Sequence, residues 1–244
     1  MLILGCMAYL ARRDILYNEA YFHITWQCHN YSWFLEENWA KKLYYDLLLK
    51  YKDRYAVVIY SYSFMDNHPH LTGKTKTVDG ISSFMKAVNS QFAKTINKKH
   101  KRRGQVVMDR FKSPIIQTDR ALLNVMAYGD LNAPRVGKVS HPREYRWCSY
   151  RYYALGELDP LITPAPSYLA LSNDPSERQR QYRDMVDDII RAEGLVKSNY
   201  SHVHYIGDPD WVRSRYEEIQ EIQRLKRAAY VIRQRRTLCA HSPP

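Results

Sequence analysis

The spacing of hydrophobic and polar positions predicts a strand, a helix and two further strands in the first part of the chain. Residues 20–28 and 54–63 are rich in β-branched and aromatic side chains, which is typical of strands, and residues 67–74 continue the pattern. Residues 38–51 place leucines at helical spacing, and Asn38 is the expected cap of that helix. A β-hairpin is therefore expected directly after the first helix.

After this hairpin the hydrophobic period becomes helical. Residues 79–99 carry an apolar side chain every three or four positions, which predicts an amphipathic helix. Residues 104–117 are typical of an extended segment with a loop, and residues 118–131 predict a helix capped by Thr118 and ended before Pro134. We therefore predict an α+β fold, a ferredoxin-like β-α-β-β-α-β sandwich with a mostly helical C-terminal extension.

Changes in composition divide the chain into three parts. Residues 1–13 begin apolar and only then become basic, the reverse of a signal peptide, so they are expected to be an N-terminal extension. Residues 14–157 contain the predicted sandwich. Residues 158–244 are rich in proline at first and then predict two polar helices, over residues 178–193 and 211–236. We interpret this last part as a loop-rich and helical extension.

Composition favours a polyanionic partner. The chain has 37 lysines and arginines against 25 aspartates and glutamates, which gives a net charge of +12. Nucleic acid is the commonest partner of so basic a protein, and a merely basic protein is the alternative. The four cysteines form no CxxC pair, which argues against a zinc knuckle and a disulfide scaffold and favours a reducing cytoplasm. No apolar run approaches the roughly 18 residues needed to cross a membrane.

The first candidate for chemistry is a pair of histidines in the third predicted strand. Side chains two apart in a strand point to the same face, so His68 and His70 can share a divalent cation. The alternative is two surface histidines at a sheet edge. Pro69 lies between them and removes a backbone donor, which predicts an edge strand or an outward-facing amide.

The second candidate is the pair Tyr128 and Asn132, four residues apart on the last predicted helix and so on one face. A tyrosine hydroxyl has an ordinary pKa near 10 and needs a nearby metal to act as a nucleophile at a phosphate. The amide oxygen of Asn132 suits a hard ion such as Mg²⁺ or Mn²⁺. With 21 tyrosines in the chain, a packing role for Tyr128 is the alternative.

The third candidate is a dense group of basic residues between the histidines and the tyrosine helix. This group is expected to follow the phosphates of a nucleic acid, although it also fits a solvated helix end and loop. It consists of Lys94, Lys98, Lys99, Lys101, Arg102, Arg103, Arg110 and Lys112.

Five sequence blocks, in order, resemble those of the REP-associated tyrosine transposases and their single-tyrosine HUH relatives, the IS200-like transposases. The blocks are MDNHPHL at 65–71, NKKHKRRG at 97–104, DRFKS at 109–113, YGDLNAPR at 128–135 and WCSYR at 147–151. They lie within residues 14–157, which the resemblance identifies as an HUH transposase catalytic domain. One such block is weak evidence, but five in the same order are a strong indication.

This resemblance implies the chemistry and the partner. It makes His68 and His70 a metal-binding pair for Mg²⁺ or Mn²⁺, Asn132 a third ligand, Tyr128 the nucleophile and Arg135 a DNA contact. The substrate is single-stranded DNA, often with a hairpin beside the cut, and the reaction passes through a 5′-phosphotyrosine. Such a protein is expected near the bacterial nucleoid, as a monomer or a homodimer. The helix over residues 211–236 is either an accessory DNA-binding helix or one packed on the main domain.

Several residues depart from the family pattern. Pro69 replaces a bulky apolar residue, Asp66 stands where proline is common, Gly129 and Asp130 follow the tyrosine, and Ala133 is inserted before the proline. These departures leave two alternatives open. One is a domesticated relative that binds nucleic acid without cutting it, and the other is a nuclease that uses metal and water in place of the tyrosine.

Overall fold

The computed structural model describes residues 15–193, residue 200 and residues 203–240. The predicted N-terminal extension, residues 1–13, lies outside the described residues. The first elements are β1 Tyr21–Thr25, α1 Asn38–Lys52, β2 Val57–Phe64, β3 Pro69–Thr75, α2 Val78–Lys99 and β4 Ile115–Ile116. The predicted β-α-β-β-α-β order is therefore confirmed.

The strands form one sheet in the order β2-β3-β1-β4-β5. All pairs among β1 to β4 are antiparallel, and both crossover helices, α1 and α2, join strands of this unit. The fifth strand, β5 Tyr205–Ile206, comes from the C-terminal part and pairs parallel to β4. The fold is thus the predicted α+β sandwich with a strand added at one edge.

One face of the sheet is apolar and carries α1 and α2. Pairing of β1 with β3 and of β3 with β2 brings Phe22, Ile24, Leu71, Tyr62 and Phe64 to this apolar face. Tyr44 of α1 packs at its centre, with its ring centroid 5.5 Å from that of Phe64. These buried side chains belong to the hydrophobic core of the protein.

The other face is polar, although it is equally buried. The same pairings place there His23, Thr25, Ser61, Ser63, His70 and Thr72, all of them buried. A third helix, α3 Asp119–Asp130, packs against β2 and β3. Side chains alternate between the two faces of a strand, so every second residue of β1, β2 and β3 lies on this polar face.

Pro69 does not mark an edge strand, so that prediction is wrong. β3 lies inside the sheet, between β2 and β1. Pro69 is its first residue, a position where proline is tolerated because the ladder of hydrogen bonds has only begun. The hairpin turn before it closes by a bond from the Met65 amide to the His68 carbonyl oxygen, 2.9 Å long.

Of the two predicted helix caps, Thr118 is confirmed and Asn38 is wrong. The Thr118 hydroxyl accepts a hydrogen bond from the amide of Ala121 at 3.2 Å, as a cap should. Asn38 is not a cap, because it is already the first residue of α1 and follows Glu37. Its side-chain oxygen accepts a hydrogen bond from the indole of Trp147 at 2.7 Å, a long-range contact that local pattern cannot reveal.

Pro134 does not end the helix that carries Tyr128. Helix α3 ends at Asp130, and a short helix α4 Asn132–Arg135 follows after Leu131. Pro134 lies in the first turn of α4, where the missing amide hydrogen costs little. The bend at Leu131, and not the proline, separates the two helices.

The C-terminal part packs onto the sandwich. Its helices are α6 Pro166–Leu169, α7 Pro175–Glu193 and α8 Pro209–Ala240, and they follow α5 Tyr150–Leu155 of the preceding part. Helix α7 contacts α5 and α6, and α8 contacts β5. The division between residues 157 and 158 stays a prediction. Within the described ranges, no helix is both long and apolar enough to cross a membrane.

Candidate active site

The predicted histidine pair lies side by side where β3 begins. The ring centroids of His68 and His70 are 4.9 Å apart, with the rings nearly perpendicular. Nδ1 of His68 is 2.6 Å from the side-chain oxygen of Asn67, which fixes the orientation of this half-buried member of the pair. His70 is buried on the polar face. The two imidazoles therefore share a direction, as the strand pattern predicts.

A third histidine, which the sequence analysis missed, belongs to the same cluster. Nε2 of His23 on β1 lies 3.1 Å from Nδ1 of His70, and the two rings stack with centroids 5.2 Å apart. The other nitrogen of His23 is 3.3 Å from the hydroxyl of Thr72. A histidine within an otherwise apolar strand was the available signal, but only the pairing of β1 with β3 shows which residue it meets.

Both buried histidines are neutral. Burial lowers the pKa of His23 to about 4. Burial, together with the neighbouring His68, His23 and Arg135, holds the pKa of His70 well below its ordinary range. A neutral imidazole keeps a lone pair for a cation. The bond to His23 occupies Nδ1 of His70, so Nε2 is the nitrogen left to face a ligand.

Tyr128 reaches the same cluster from α3. Its ring centroid is 6.1 Å from that of His70 and 6.4 Å from that of His23. The guanidinium of Arg135 lies over the Tyr128 ring, 4.2 Å from the centroid, and also donates to the Tyr128 carbonyl oxygen at 2.7 Å. The ring of Tyr200 packs edge-on at 4.9 Å. Tyr128 is 7% exposed, so this packing fixes its side chain beside the histidines.

Asn132 follows one helical turn beyond Tyr128, across the bend at Leu131. It is buried, and in the described part of the chain its amide nitrogen has no hydrogen-bond partner. Its amide oxygen lies 3.5 Å from a guanidinium nitrogen of Arg135. Since the oxygen and nitrogen of an asparagine amide can exchange places by rotation, the oxygen is able to face a cation.

The residues present fit a metal ion. Two imidazoles and one buried amide oxygen are suitable donors for Mn²⁺, and the amide also suits Mg²⁺. Among the residues that the structure describes, no group of three or more His, Cys, Asp or Glu side chains is arranged to hold an ion by itself. Such a donor set leaves coordination positions for phosphate oxygens, as a catalytic site requires.

The unusual Asp66 braces the turn that leads into His68. Its carboxylate accepts a hydrogen bond from the ammonium of Lys41 at 2.8 Å and another from Lys138. Lys41 is 2% exposed. Burial alone raises the pKa of Asp66, but the bonds from Lys138 and Lys41 outweigh it and hold that pKa below its ordinary value. An acidic residue in place of proline therefore has a structural role here.

The two unusual residues after Tyr128 differ in their surroundings. Gly129 has open space where a side chain would stand, so no close packing requires glycine there. Asp130 is fully buried and accepts hydrogen bonds from the hydroxyls of Ser149 and Tyr182, each at 2.8 Å. Burial raises the pKa of Asp130 to about 7. Asp130 thus joins α3 to α7 on the side away from the histidines.

The predicted basic residues differ in their exposure and contacts. Lys98, Lys99, Lys101, Arg103, Arg110 and Lys112 are exposed. Arg102 instead braces its own loop, donating to the side-chain oxygen of Asn97 and to the carbonyl of Gln105, each at 3.0 Å. Arg135 contacts Tyr128, as described above. The exposed members form a basic surface on the end of α2 and on the strand-like segment beside β1.

One stretch of the chain is similar to a known protein family. Residues 16–128 match the family described as Transposase IS200 like. The matched region includes His23, His68 and His70 and ends at Tyr128 itself.

A solved structure has the same fold. It is a REP-associated tyrosine transposase bound to a REP hairpin, which is 14% identical and aligns with a TM-score of 0.52 over 64% of this chain and 92% of that chain. Among curated proteins, none matches the chain. The chain therefore combines the fold of that solved structure with a further C-terminal part.

Proposed function

We propose that this protein is a transposase that cuts single-stranded DNA with Tyr128 as its nucleophile. The observation that carries the proposal is the meeting of Tyr128 with the histidine cluster, at 6.1 Å between the rings of Tyr128 and His70. These residues come from α3 and β3, which are far apart in sequence. A tyrosine that merely packs in a core has no need of a buried polar face opposite it.

In the proposed reaction, the phenolic oxygen of Tyr128 bonds to the scissile phosphorus while the bond from phosphorus to the 3′ oxygen breaks. The proton of the phenol is lost and the 3′ oxygen gains one, so the products are a 5′-phosphotyrosine and a free 3′-hydroxyl. One phosphoester bond replaces another. The step is therefore reversible, and a new 3′-hydroxyl can attack the phosphotyrosine to join strands.

His68, His70 and Asn132 are the residues that we propose hold Mg²⁺ or Mn²⁺. When bound, the ion polarises the phosphate and stabilises the charge that develops on it. His23 holds Nδ1 of His70 and so fixes the tautomer that presents Nε2. Arg135, packed on the ring of Tyr128, orients the nucleophile and places a positive charge near the phosphate.

The DNA is proposed to approach along the basic surface at the end of α2. The exposed lysines and arginines described above supply the charges, and the REP hairpin in the solved relative supports a hairpin beside the cut site. Residues 14–157 form the proposed catalytic domain, and residues 158–244 an accessory part. Binding should weaken steeply with salt, because each phosphate contact releases a counterion.

A denaturing gel tests the nucleophile. Labelled single strands from the flanks of the gene are incubated with the protein and Mg²⁺ or Mn²⁺, and Tyr128→Phe is compared with Tyr51→Phe, a control on α1. We expect a covalent protein–DNA band that needs metal, survives in Tyr51→Phe and disappears in Tyr128→Phe. Cleavage that persists in Tyr128→Phe identifies a water-using nuclease. Binding without cleavage, unchanged by EDTA, identifies the domesticated binding protein.

A further inference from the structure

Two large aromatic side chains are exposed on the loop between β1 and α1. Tyr31 is 65% exposed and Trp33 is 60% exposed. Aromatic side chains of this size contribute most when they are covered, so two of them displayed on one short loop indicate a surface that is covered by a partner. The loop lies outside the cluster formed by the histidines and Tyr128.

The backbone of this loop adopts a conformation that side chains disfavour. Asn30 and Tyr31 both have positive φ, 52° and 55°. Asparagine tolerates the left-handed region, but a bulky tyrosine is rarely found there, and strain of this kind collects at functional sites. Tyr31 therefore combines an exposed ring with a strained backbone.

The loop is tied to the turn that carries His68. The amide of Cys28 donates to the carbonyl oxygen of Asn67 at 2.8 Å, and the amide of Leu35 donates to that of Asp66 at 2.9 Å. These two bonds fix both ends of the loop to residues directly before His68. A strand with its phosphate at the histidines therefore has neighbouring nucleotides within reach of the loop.

Positive charge lies on two half-buried rings, Phe34 and Trp39, which follow the exposed pair in the chain. The guanidinium of Arg102 lies 4.7 Å from the ring centroid of Phe34, and the ammonium of Lys99 lies 5.7 Å from that of Trp39. His100 packs between these two rings, at 6.4 Å and 6.0 Å. The side chains after Trp33 thus join the loop to the basic end of α2. Aromatic rings beside cations are the combination that binds unpaired bases and their phosphates.

We propose that Tyr31 and Trp33 form a stacking surface for unpaired bases of the DNA strand that enters the active site. The identity of the strand rests on the proposed function, whereas the surface itself is defined by the loop. Bases stack on the exposed rings, and the phosphates between them contact the exposed lysines at the end of α2. A nucleic acid fits better than a protein or lipid partner because cations lie on the next aromatic rings along the chain, Phe34 and Trp39, and the chain carries a net charge of +12.

The test measures binding of the full chain to a labelled oligothymidylate by fluorescence anisotropy, in EDTA so that no cleavage occurs. The variants are Trp33→Ala, Tyr31→Ala and the conservative Trp33→Phe. The control is Leu158→Ala, which removes an even more exposed apolar side chain, 96% exposed, elsewhere. We expect Kd to rise about tenfold in each alanine variant at the loop, as loss of one stacked base predicts. Trp33→Phe and Leu158→Ala should bind like the unmodified protein.

An abasic strand of the same length separates stacking from charge. It keeps the phosphates but offers no base, so the unmodified protein should bind it more weakly than Trp33→Ala binds the normal strand, because the stacking on both rings is lost. The substitution Trp33→Ala should have no further effect on the abasic strand. Equal losses on the normal and abasic strands, or unchanged binding in Trp33→Ala, would overturn the proposal. Base-dependent binding in a protein that never cuts DNA would thus uphold the surface while the proposed function fails.

Discussion

The two faces of the sheet are built from the same strands and are equally buried, yet they differ in nearly every side chain. The apolar face holds Phe22, Ile24, Tyr62, Phe64 and Leu71 against α1 and α2. The polar face holds histidines, serines and threonines against α3. Its groups contribute little hydrophobic free energy, and several need partners to offset their lost hydration.

The two faces differ in their roles: packing on the apolar face stabilises the fold, whereas the polar face carries the histidines of the candidate site. On the apolar face, ring packs on ring around Tyr44, and any loss leaves a cavity. On the polar face, the hydroxyl of Ser63 has no hydrogen-bond partner among the described residues, and the histidines bond to one another. The arrangement of this face therefore depends less on hydrophobic packing and more on contacts between polar side chains.

The largest expected effect comes from Phe64 of β2. Its neighbour Ser63, which points to the opposite face, is the matched comparison. Phe64→Ala should lower the free energy of unfolding by about 4 kcal/mol, because it leaves a cavity beneath Tyr44. Ser63→Ala should change it by less than about 1 kcal/mol, because it removes a hydroxyl that makes no bond within the described chain. Urea denaturation measures both. Similar losses in the two variants would show that the faces share the burden of stability.

His23 provides the next test, within the polar face. His23→Ala should weaken Mn²⁺ binding about 10- to 100-fold, because Nδ1 of His70 loses the partner that fixes its tautomer. Isothermal titration calorimetry with Mn²⁺ measures this affinity in the absence of DNA. His23→Gln, which keeps a side-chain hydrogen-bond donor and acceptor, should restore part of it. An affinity unchanged in His23→Ala would make His23 a packing residue.

The smallest expected effect concerns Asp130, a buried polar group that has its partners. Because burial raises its pKa to about 7, the folded state binds this proton more tightly than the unfolded state does. The stabilisation is complete below about pH 4, the ordinary pKa of an aspartate, and is lost as pH rises toward 7. Asp130→Asn should remove this dependence.

The measurement is the free energy of unfolding of both proteins at pH 5 and pH 7, in metal-free buffer. We expect the unmodified protein to lose about 1 to 2 kcal/mol more than the variant over this range. The other titrating groups contribute equally to the free energy of unfolding of both proteins, so their contribution cancels in the difference. A parallel pH dependence in both would mean that Asp130 is charged throughout.

Much of the fold could be predicted from local pattern. The helical period of residues 79–99, the cap at Thr118 and the strand pattern around His70 each depend on residues a few positions apart, so one sequence suffices to indicate them. Asn38 and Pro134 misled for the same reason. Asn38 is a residue type that often caps helices, but its side-chain oxygen accepts a hydrogen bond from Trp147 instead. Proline often ends a helix, but here α3 already ends at Asp130, before the bend at Leu131.

The sequence by itself determined the order of elements, the basic charge and the ordered motifs that contain His68, His70 and Tyr128. Only the tertiary structure decided that β3 lies inside the sheet, that His23 meets His70, and that α3 covers the polar face. The physical reason is the range of the interactions. Periodicity and capping arise between near neighbours, whereas strand register and the packing of a helix on a sheet depend on residues that only the folded chain brings together.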